Sequence, residues 1–390
     1  MMAKWVLLIG GFLLLIITFL TLSNIVNDTG NSVNSDSSMD IQKALSFPQS
    51  VGFQQVINPR QFTFPRDHGP HPDYGIEWWY FTGNLSTKDN RLFGYQLTLF
   101  RIGLGNDEVE RKSNWSTSQI YMGHLALSDV KNQKFYAFER FSRESLGLAG
   151  ALVTDDGSFR VWIEDWIIDG VGSDRPYVRI LGTEGDLKID LVLESSKPIT
   201  LNGESGFSRK NREVGGASYY YSSTRMVTNG SLTLGQQNFK VSGLSWMDRE
   251  WSTSALSEMQ AGWDWFGLQL SDGRDLMLYQ LIKKSGNLDD NSSGTLVEEN
   301  GSSKFLNSDD FVITNLDHWK SNISGTKYPS KWRIKIPDQE IDITVMPYFR
   351  NQEFNAVVRY WEGATSVKGV SNNRDVTGSG YVEITRPTVK

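Results

Sequence analysis

Cysteine is missing from this 390-residue chain, which excludes disulfides, thiolate metal sites, a cysteine nucleophile and a lipid-modified N-terminal cysteine. Histidine is scarce, with four residues, so any catalytic scheme must lean on carboxylates and aromatic side chains. Positive charge is not in excess either: the net charge is −6. Without a basic stripe to neutralise phosphates, nucleic acid is not an expected partner. Glycine-rich phosphate loops, Gly-x-Ser-x-Gly elbows and His-Glu-x-x-His signatures are also absent. A serine-hydrolase triad is therefore disfavoured, and no cofactor is implied.

Aromatic residues are abundant, with 13 Trp, 14 Tyr and 20 Phe, and such large, stiff side chains favour strands. The length points to two domains. Lys4 precedes an apolar run from Trp5 to Leu20, followed by a polar stretch from Thr21 to Asp40. Residues 1–26 thus read as a signal peptide or membrane anchor, with 27–50 as a flexible linker. Either form puts the remainder on the periplasmic side of a bacterial inner membrane, anchored or secreted.

Beyond Gln49 the apolar pattern alternates with period two, interrupted by turn residues at β-meander spacing. Expected strands include Glu77–Leu85 and Leu92–Ile102, joined by a turn at Lys88-Asp89-Asn90, then Gln119–Ser128, Leu187–Glu194 and Ser218–Val227. Only Ser252–Ala261 has a helical look. An internal repeat organises the whole. Trp78-Trp79-Tyr80-Phe81, Leu85-Ser86 and Tyr95-Gln96-Leu97 recur as Trp263-Asp264-Trp265-Phe266, Leu270-Ser271 and Tyr279-Gln280-Leu281. Each half also ends alike, on Gly243-Leu244-Ser245-Trp246-Met247-Asp248 and on Gly378-Ser379-Gly380-Tyr381-Val382-Glu383. Side chains two apart share a strand face, so Trp246 goes with Asp248 and Tyr381 with Glu383. The predicted fold is all-β: two tandem antiparallel barrels, at 51–253 and 254–390, closed to remove exposed edges. The repeated indoles and carboxylates are expected to turn inward, towards a shared apolar hollow.

Three clusters carry candidate chemistry. Asp67-His68-Gly69-Pro70-His71-Pro72-Asp73 leads into Glu77-Trp78-Trp79-Tyr80; the His–acid spacing fits no specific metal motif. Glu77, set among rings, is expected to have its pKa raised by desolvation. In Trp246-Met247-Asp248-Arg249-Glu250-Trp251, alternation puts Asp248 and Glu250 on one face, where mutual repulsion favours a retained proton. Neutralisation of both acids by Arg249 or Arg225 is the competing structural reading. Trp263 and Trp265 form an aromatic wall, with Tyr279 on the paired strand and Asp264 on the other side. Tyr360-Trp361-Glu362 supplies a further acid among aromatics.

These motifs, with Phe64-Pro65-Arg66-Asp67-His68-Gly69, Ser252, Gly363-Ala364 and Gly380-Tyr381-Val382-Glu383, resemble the AttH-like, secreted-hydrolase family related to carotenoid 1,2-hydratase. The resemblance extends from about Phe53 onward. It implies two lipocalin-like domains, an apolar isoprenoid or lipid ligand, and association with ABC-type export permeases. In the hydratases an acid protonates a carbon–carbon double bond, aromatic faces shelter the cation and water adds. Their pattern includes a His where this chain has Arg249, and a Tyr-x-Asp where it has Tyr279-Gln280-Leu281. Trp251 and Tyr279 therefore carry over, while Asp248, Glu250 or Asp264 must supply the acid. The candidate catalytic set is Asp248, Glu250, Asp264 and Tyr279. The candidate binding set is Glu77, Trp78, Trp79, Tyr80, Arg225, Trp246, Trp251, Trp263, Trp265, Tyr360, Trp361 and Glu362. Two functions fit: a hydratase or hydrolase acting on a long apolar substrate, and a non-catalytic lipid-binding accessory of an exporter.

Overall fold

The computed structural model describes residues 39–40, 52–105, 116–253 and 256–385. The expected anchor and most of the linker lie outside them. Among the described residues no helix is long and apolar enough to cross a membrane. Regular structure there is β apart from three short 3₁₀ turns. The segment around Ser252–Ala261, expected as a helix, instead carries a turn in its described part, where the Gln260 amide donates to the Ser257 carbonyl at 3.1 Å. Its neighbours on both sides are long strands, which leave no length for a helix.

The first sheet opens with β1 (Ile76–Ser86), β2 (Leu92–Gly103), β3 (Gln119–Asp129) and β4 (Lys134–Arg143). The short β5 (Ala149–Val153), β6 (Phe159–Ile163) and β7 (Trp166–Val171) follow, then β8 (Tyr177–Glu184) and β9 (Leu187–Ser195). It closes with the long β10 (Ala217–Leu234) and β11 (Gln237–Ser252). Asn90, at φ 58°, makes the tight turn between β1 and β2; asparagine tolerates that left-handed conformation better than most residues. The strand order is β4-β3-β2-β1-β11-β10-β9-β8-β7-β6-β5.

The second sheet contains β12 (Gln260–Leu270), β13 (Asp275–Lys283), β14 (Ser293–Val297), β15 (Ser303–Asn307) and β16 (Val312–Lys320). It continues through β17 (Lys327–Ile336), β18 (Ile341–Pro347), β19 (Val358–Ser371) and β20 (Arg374–Ile384). Its order, β15-β14-β13-β12-β20-β19-β18-β17-β16, bends into a nearly closed barrel. In both sheets the opening strand of the repeat pairs antiparallel with the closing strand: β1 with β11 and β12 with β20.

Each sheet wraps its own core. Trp79, Phe81, Leu97, Leu125, Ile168, Tyr221 and Trp251 fill the first. Phe266, Leu278, Trp332, Ile343, Trp361 and Val382 fill the second. Burying one such side chain contributes about 1.5–3 kcal/mol. Alternation then sends the intervening residues to the outer face, yet these are buried too: β2 is covered along nearly its whole length. The reason is that the outer faces of the two sheets pack on each other. At this junction Arg225 pairs with Asp275 at 2.6 Å, Lys197 reaches the same carboxylate at 2.7 Å, and Gln96 donates to the Tyr360 hydroxyl at 2.9 Å. Buried polar groups matched in this way fix how the two sheets meet. Of the expected shared inward hollow, the direction alone is corrected: the interior of each sheet is filled with side chains, and the indoles and acids that meet in a shared cavity face the junction.

Candidate functional site

Between the outer faces lies a cavity of about 80 Å³. The first sheet contributes Trp78, Tyr80, Thr98, Phe100, Ser218, Tyr220, Asp248, Glu250 and Ser252, while Trp263, Trp265, Tyr279, Leu281 and Glu383 come from the second. Lys210 and Leu256 lie on connecting segments. The register explains the convergence. Asp248 sits opposite Ser222 on β10 and Tyr80 on β1, and Glu250 opposite Tyr220 and Trp78. Trp265 sits opposite Tyr279 on β13 and Glu383 on β20.

Asp248 is held by three donors. Its Oδ1 accepts from Ser222 Oγ at 2.5 Å and from Trp246 Nε1 at 2.7 Å; its Oδ2 accepts from the Tyr220 hydroxyl at 2.5 Å. Two of those donors have their direction fixed from behind, since Asn202 Nδ2 donates to Ser222 Oγ at 2.7 Å and Trp265 Nε1 to the Tyr220 oxygen at 3.1 Å. A carboxylate has about four acceptor sites, so one remains, on Oδ2, for an acidic proton. Burial raises the Asp248 pKa to about 7, Ser222, Tyr220 and Trp246 pull it down, and the Glu250 charge pushes it up. The group is thus protonated below neutrality, and the same donors stabilise the carboxylate once the proton leaves.

Glu250 pairs with the Lys210 ammonium at 3.2 Å and accepts from Ser218. The ammonium lies 4.1 Å from the Tyr279 ring centroid and 5.1 Å from that of Tyr220. Burial works against its charge, but Glu250 and Tyr279 carry its pKa above the ordinary lysine value. It remains a cation and is unsuited to act as a nucleophilic amine. Glu383 accepts from Trp263 Nε1 at 2.7 Å; burial also raises its pKa to about 7.

Seven of the residues singled out from sequence line the cavity: Asp248, Glu250, Tyr279, Trp78, Tyr80, Trp263 and Trp265. Trp246 stands behind Asp248. Glu362 lies one strand further along, where its Oε1 accepts from the Tyr80 hydroxyl at 2.9 Å. Tyr360 is nearby, hydrogen-bonded to His124 at 2.9 Å. The remaining candidates lie elsewhere. Asp264 does not line the cavity, being on the opposite face from its Trp neighbours, and Trp361 is in the second core. Trp79 and Trp251 are in the first core, the latter stacked on His71 at 3.7 Å. Arg225 is committed to Asp275 and therefore neutralises neither Asp248 nor Glu250.

Glu77 reverses the expectation for it. Buried at the β1–β11 pairing, it meets Arg101, Arg249 and His71. Burial alone would raise its pKa, but the two guanidinium groups hold it well below the ordinary carboxylate range. It is a structural anion. His68 is spent as well, with its ring nitrogens on the Tyr221 hydroxyl and the Ser173 carbonyl, both at 2.7 Å. Among the described residues no group of three or more His, Asp or Glu is placed to hold a metal ion. The residues that the sequence reading left out of the site are Lys210, Tyr220, Ser218, Ser222 and Glu383. Only Glu383 had a signal, as the repeat partner of Asp248.

A profile of AttH-like proteins matches residues 55–386. The chain belongs to the AttH-like family. Among solved structures, this AttH-like chain is similar to an AttH from Nitrosomonas europaea, with 28% identity, a TM-score of 0.74, and coverage of 86% of this chain and 100% of that one. It is also similar to kievitone hydratase from Nectria haematococca, at 16% identity, a TM-score of 0.62, and 85% and 97% coverage. The complex of CghA with Sch210972 follows at 10% identity, a TM-score of 0.51, and 86% and 96% coverage. At those last two identities the likeness is one of fold. No curated protein matches the AttH-like chain.

Proposed function

We propose that this AttH-like protein is an acid–base enzyme of the hydratase or hydrolase type that adds water to an apolar, isoprenoid- or lipid-like substrate. Its two lipocalin-like domains, 51–253 and 254–390, would build one site between them on the outer side of the bacterial inner membrane, with an exporter permease as a candidate partner. The observation that carries the reading is Asp248: a buried acid poised near pH 7 by its surroundings, with one proton site free, in a cavity walled by Trp78, Tyr80, Trp263 and Trp265. In hydration, Asp248 gives its proton to one alkene carbon and the ring faces steady the cation on the other. A water oxygen then attacks. The sharing of a fold with an enzyme named for hydration agrees with this chemistry.

The test is incubation with an acyclic isoprenoid bearing trisubstituted double bonds in ¹⁸O-labelled water. Wild-type protein is expected to yield an ¹⁸O-alcohol. Asp248→Asn should lower turnover by about 10²–10⁴-fold while tryptophan fluorescence reports binding within a few-fold. Binding by wild-type protein without incorporation of label would overturn the proposal in favour of a carrier.

A further inference from the structure

Hydration consumes one proton and releases another, and Asp248 accounts only for the first. The repeat supplies the second group. Aligning Trp78-Trp79-Tyr80-Phe81 with Trp263-Asp264-Trp265-Phe266 puts Tyr80 and Trp265 in equivalent places. On the closing strands, Tyr80 faces Asp248 and Trp265 faces Glu383. Both acids line the same cavity from opposite sheets, and each accepts an indole N–H at 2.7 Å, from Trp246 and Trp263 respectively. Glu383 is therefore the counterpart of Asp248 in the second repeat.

Their cross-strand neighbours differ. In the place where Asp248 meets Ser222, Glu383 meets Glu362, its direct cross-strand partner on β19. Burial and the neighbouring Glu383 charge push the Glu362 pKa well above the ordinary carboxylate value. Glu362 Oε1 is filled by the Tyr80 hydroxyl, but Oε2 has no donor facing it. Like charges on two buried cross-strand neighbours do not both ionise, so one of the pair keeps a proton. The groups facing the pair are Tyr80, Tyr360 and Tyr381, with Asp248 and Glu250 across the cavity. Lys210, the cation lining the cavity, is engaged by Glu250.

We propose that Glu383 is the catalytic base of the site, paired with Asp248 as acid, and that Glu362 is a positioning residue which donates a proton-shared hydrogen bond to the Glu383 carboxylate. This deepens the reading of the site as a hydratase. The alkene π pair takes the Asp248 proton and forms the C–H bond. The water oxygen lone pair forms the C–O bond, and the proton lost by that water goes to Glu383. Transfer of one proton from Glu383 to Asp248 restores the starting state, so the net change is alkene plus water to alcohol. Because the base must be ionised and the acid protonated, activity requires opposite states of two groups that both titrate near neutrality, which produces a narrow bell.

The test has an arm that needs no substrate. Infrared titration of the protonated carboxyl band across pH 5–9 is expected to show two groups changing near neutrality. One should vanish in Asp248→Asn and the other in Glu383→Gln. In the ¹⁸O assay with the acyclic isoprenoid, Glu383→Gln should lower turnover by about 10²–10⁴-fold with binding unchanged, and should remove the acidic limb of the bell while the alkaline limb remains. Glu362→Leu should move that acidic limb to higher pH, and Glu362→Gln, which keeps a donor, should restore it. A Glu383→Gln protein that keeps the neutral titration, or the acidic limb, would overturn this assignment and leave Asp248 untouched. Absence of hydration by wild-type protein would instead overturn the reaction, with the infrared arm still deciding the pair.

Discussion

A buried acid with no cation of its own should weaken the fold in a pH-dependent way, and Asp248 is suited to a direct measurement. Its pKa moves from an ordinary 3.8 to about 7 in the folded chain, so the folded state binds the proton more tightly than the unfolded one. The stabilising form is the protonated one. Stability is highest below the unfolded value, falls as pH rises through the interval between 3.8 and about 7, and is level above it. Between pH 5 and pH 8 the cost of ionising Asp248 grows by about 3 kcal/mol, at 1.36 kcal/mol per pH unit over the part of the interval crossed. Asparagine carries no charge and is free of this cost, although its amide nitrogen meets the Tyr220 hydroxyl, which already accepts from Trp265. That mismatch costs about 1–3 kcal/mol at every pH. Urea unfolding of both proteins should therefore show Asp248→Asn gaining about 3 kcal/mol relative to wild type on going from pH 5 to pH 8. The fixed mismatch cancels in this comparison. A pH-independent difference would mean that Asp248 is ionised throughout, and the argument for it as a proton donor would fail.

Two other substitutions probe the scaffold. Glu77→Gln leaves the buried Arg101 and Arg249 without their counter-ion; a loss of about 3–5 kcal/mol is expected in denaturant unfolding at pH 7, and a neutral outcome would remove Glu77 as the electrostatic anchor of β1. Gly267→Ala places a Cβ 2.4 Å from the Trp265 ring and 3.2 Å from that of Trp246. The indole must move off Tyr220, at a cost of about 1–3 kcal/mol, and altered tryptophan fluorescence with a displaced Asp248 titration is the expected sign. An unchanged titration would separate Trp265 from the tuning of that acid.

The site is partly legible in the sequence because strands impose period two. Alternation puts Asp248 with Glu250 and Trp263 with Trp265, and register then delivers each pair to one cavity. Trp79 and Trp251 lie in the first core, and Asp264 lies on the side opposite Trp263 and Trp265, as alternation has it; adjacency in an aromatic run does not say which neighbour faces the cavity. Lys210 and Ser222 were invisible, the first because it lies on a connecting segment and the second because one serine in Ser-Tyr-Tyr-Tyr-Ser-Ser carries no distinguishing pattern.

The amino-acid sequence by itself determined that the chain is β-rich, that one unit occurs twice, and which side chains share a strand face, because these follow from local periodicity and repetition. Which face turns inward was decided by tertiary structure alone. Strands such as β1, with Trp79 and Phe81 on one face and Trp78 and Tyr80 on the other, fit a core on either side. Only the packing of the two sheets decided that Trp79 fills the core of the first sheet while Trp78 walls a cavity. The folding of the first sheet alone made Glu77 a neutralised anion, while the packing of the two left Asp248 and Glu383 without a cation of their own. Charge state depends on what is brought close through space, and that information resides in the fold.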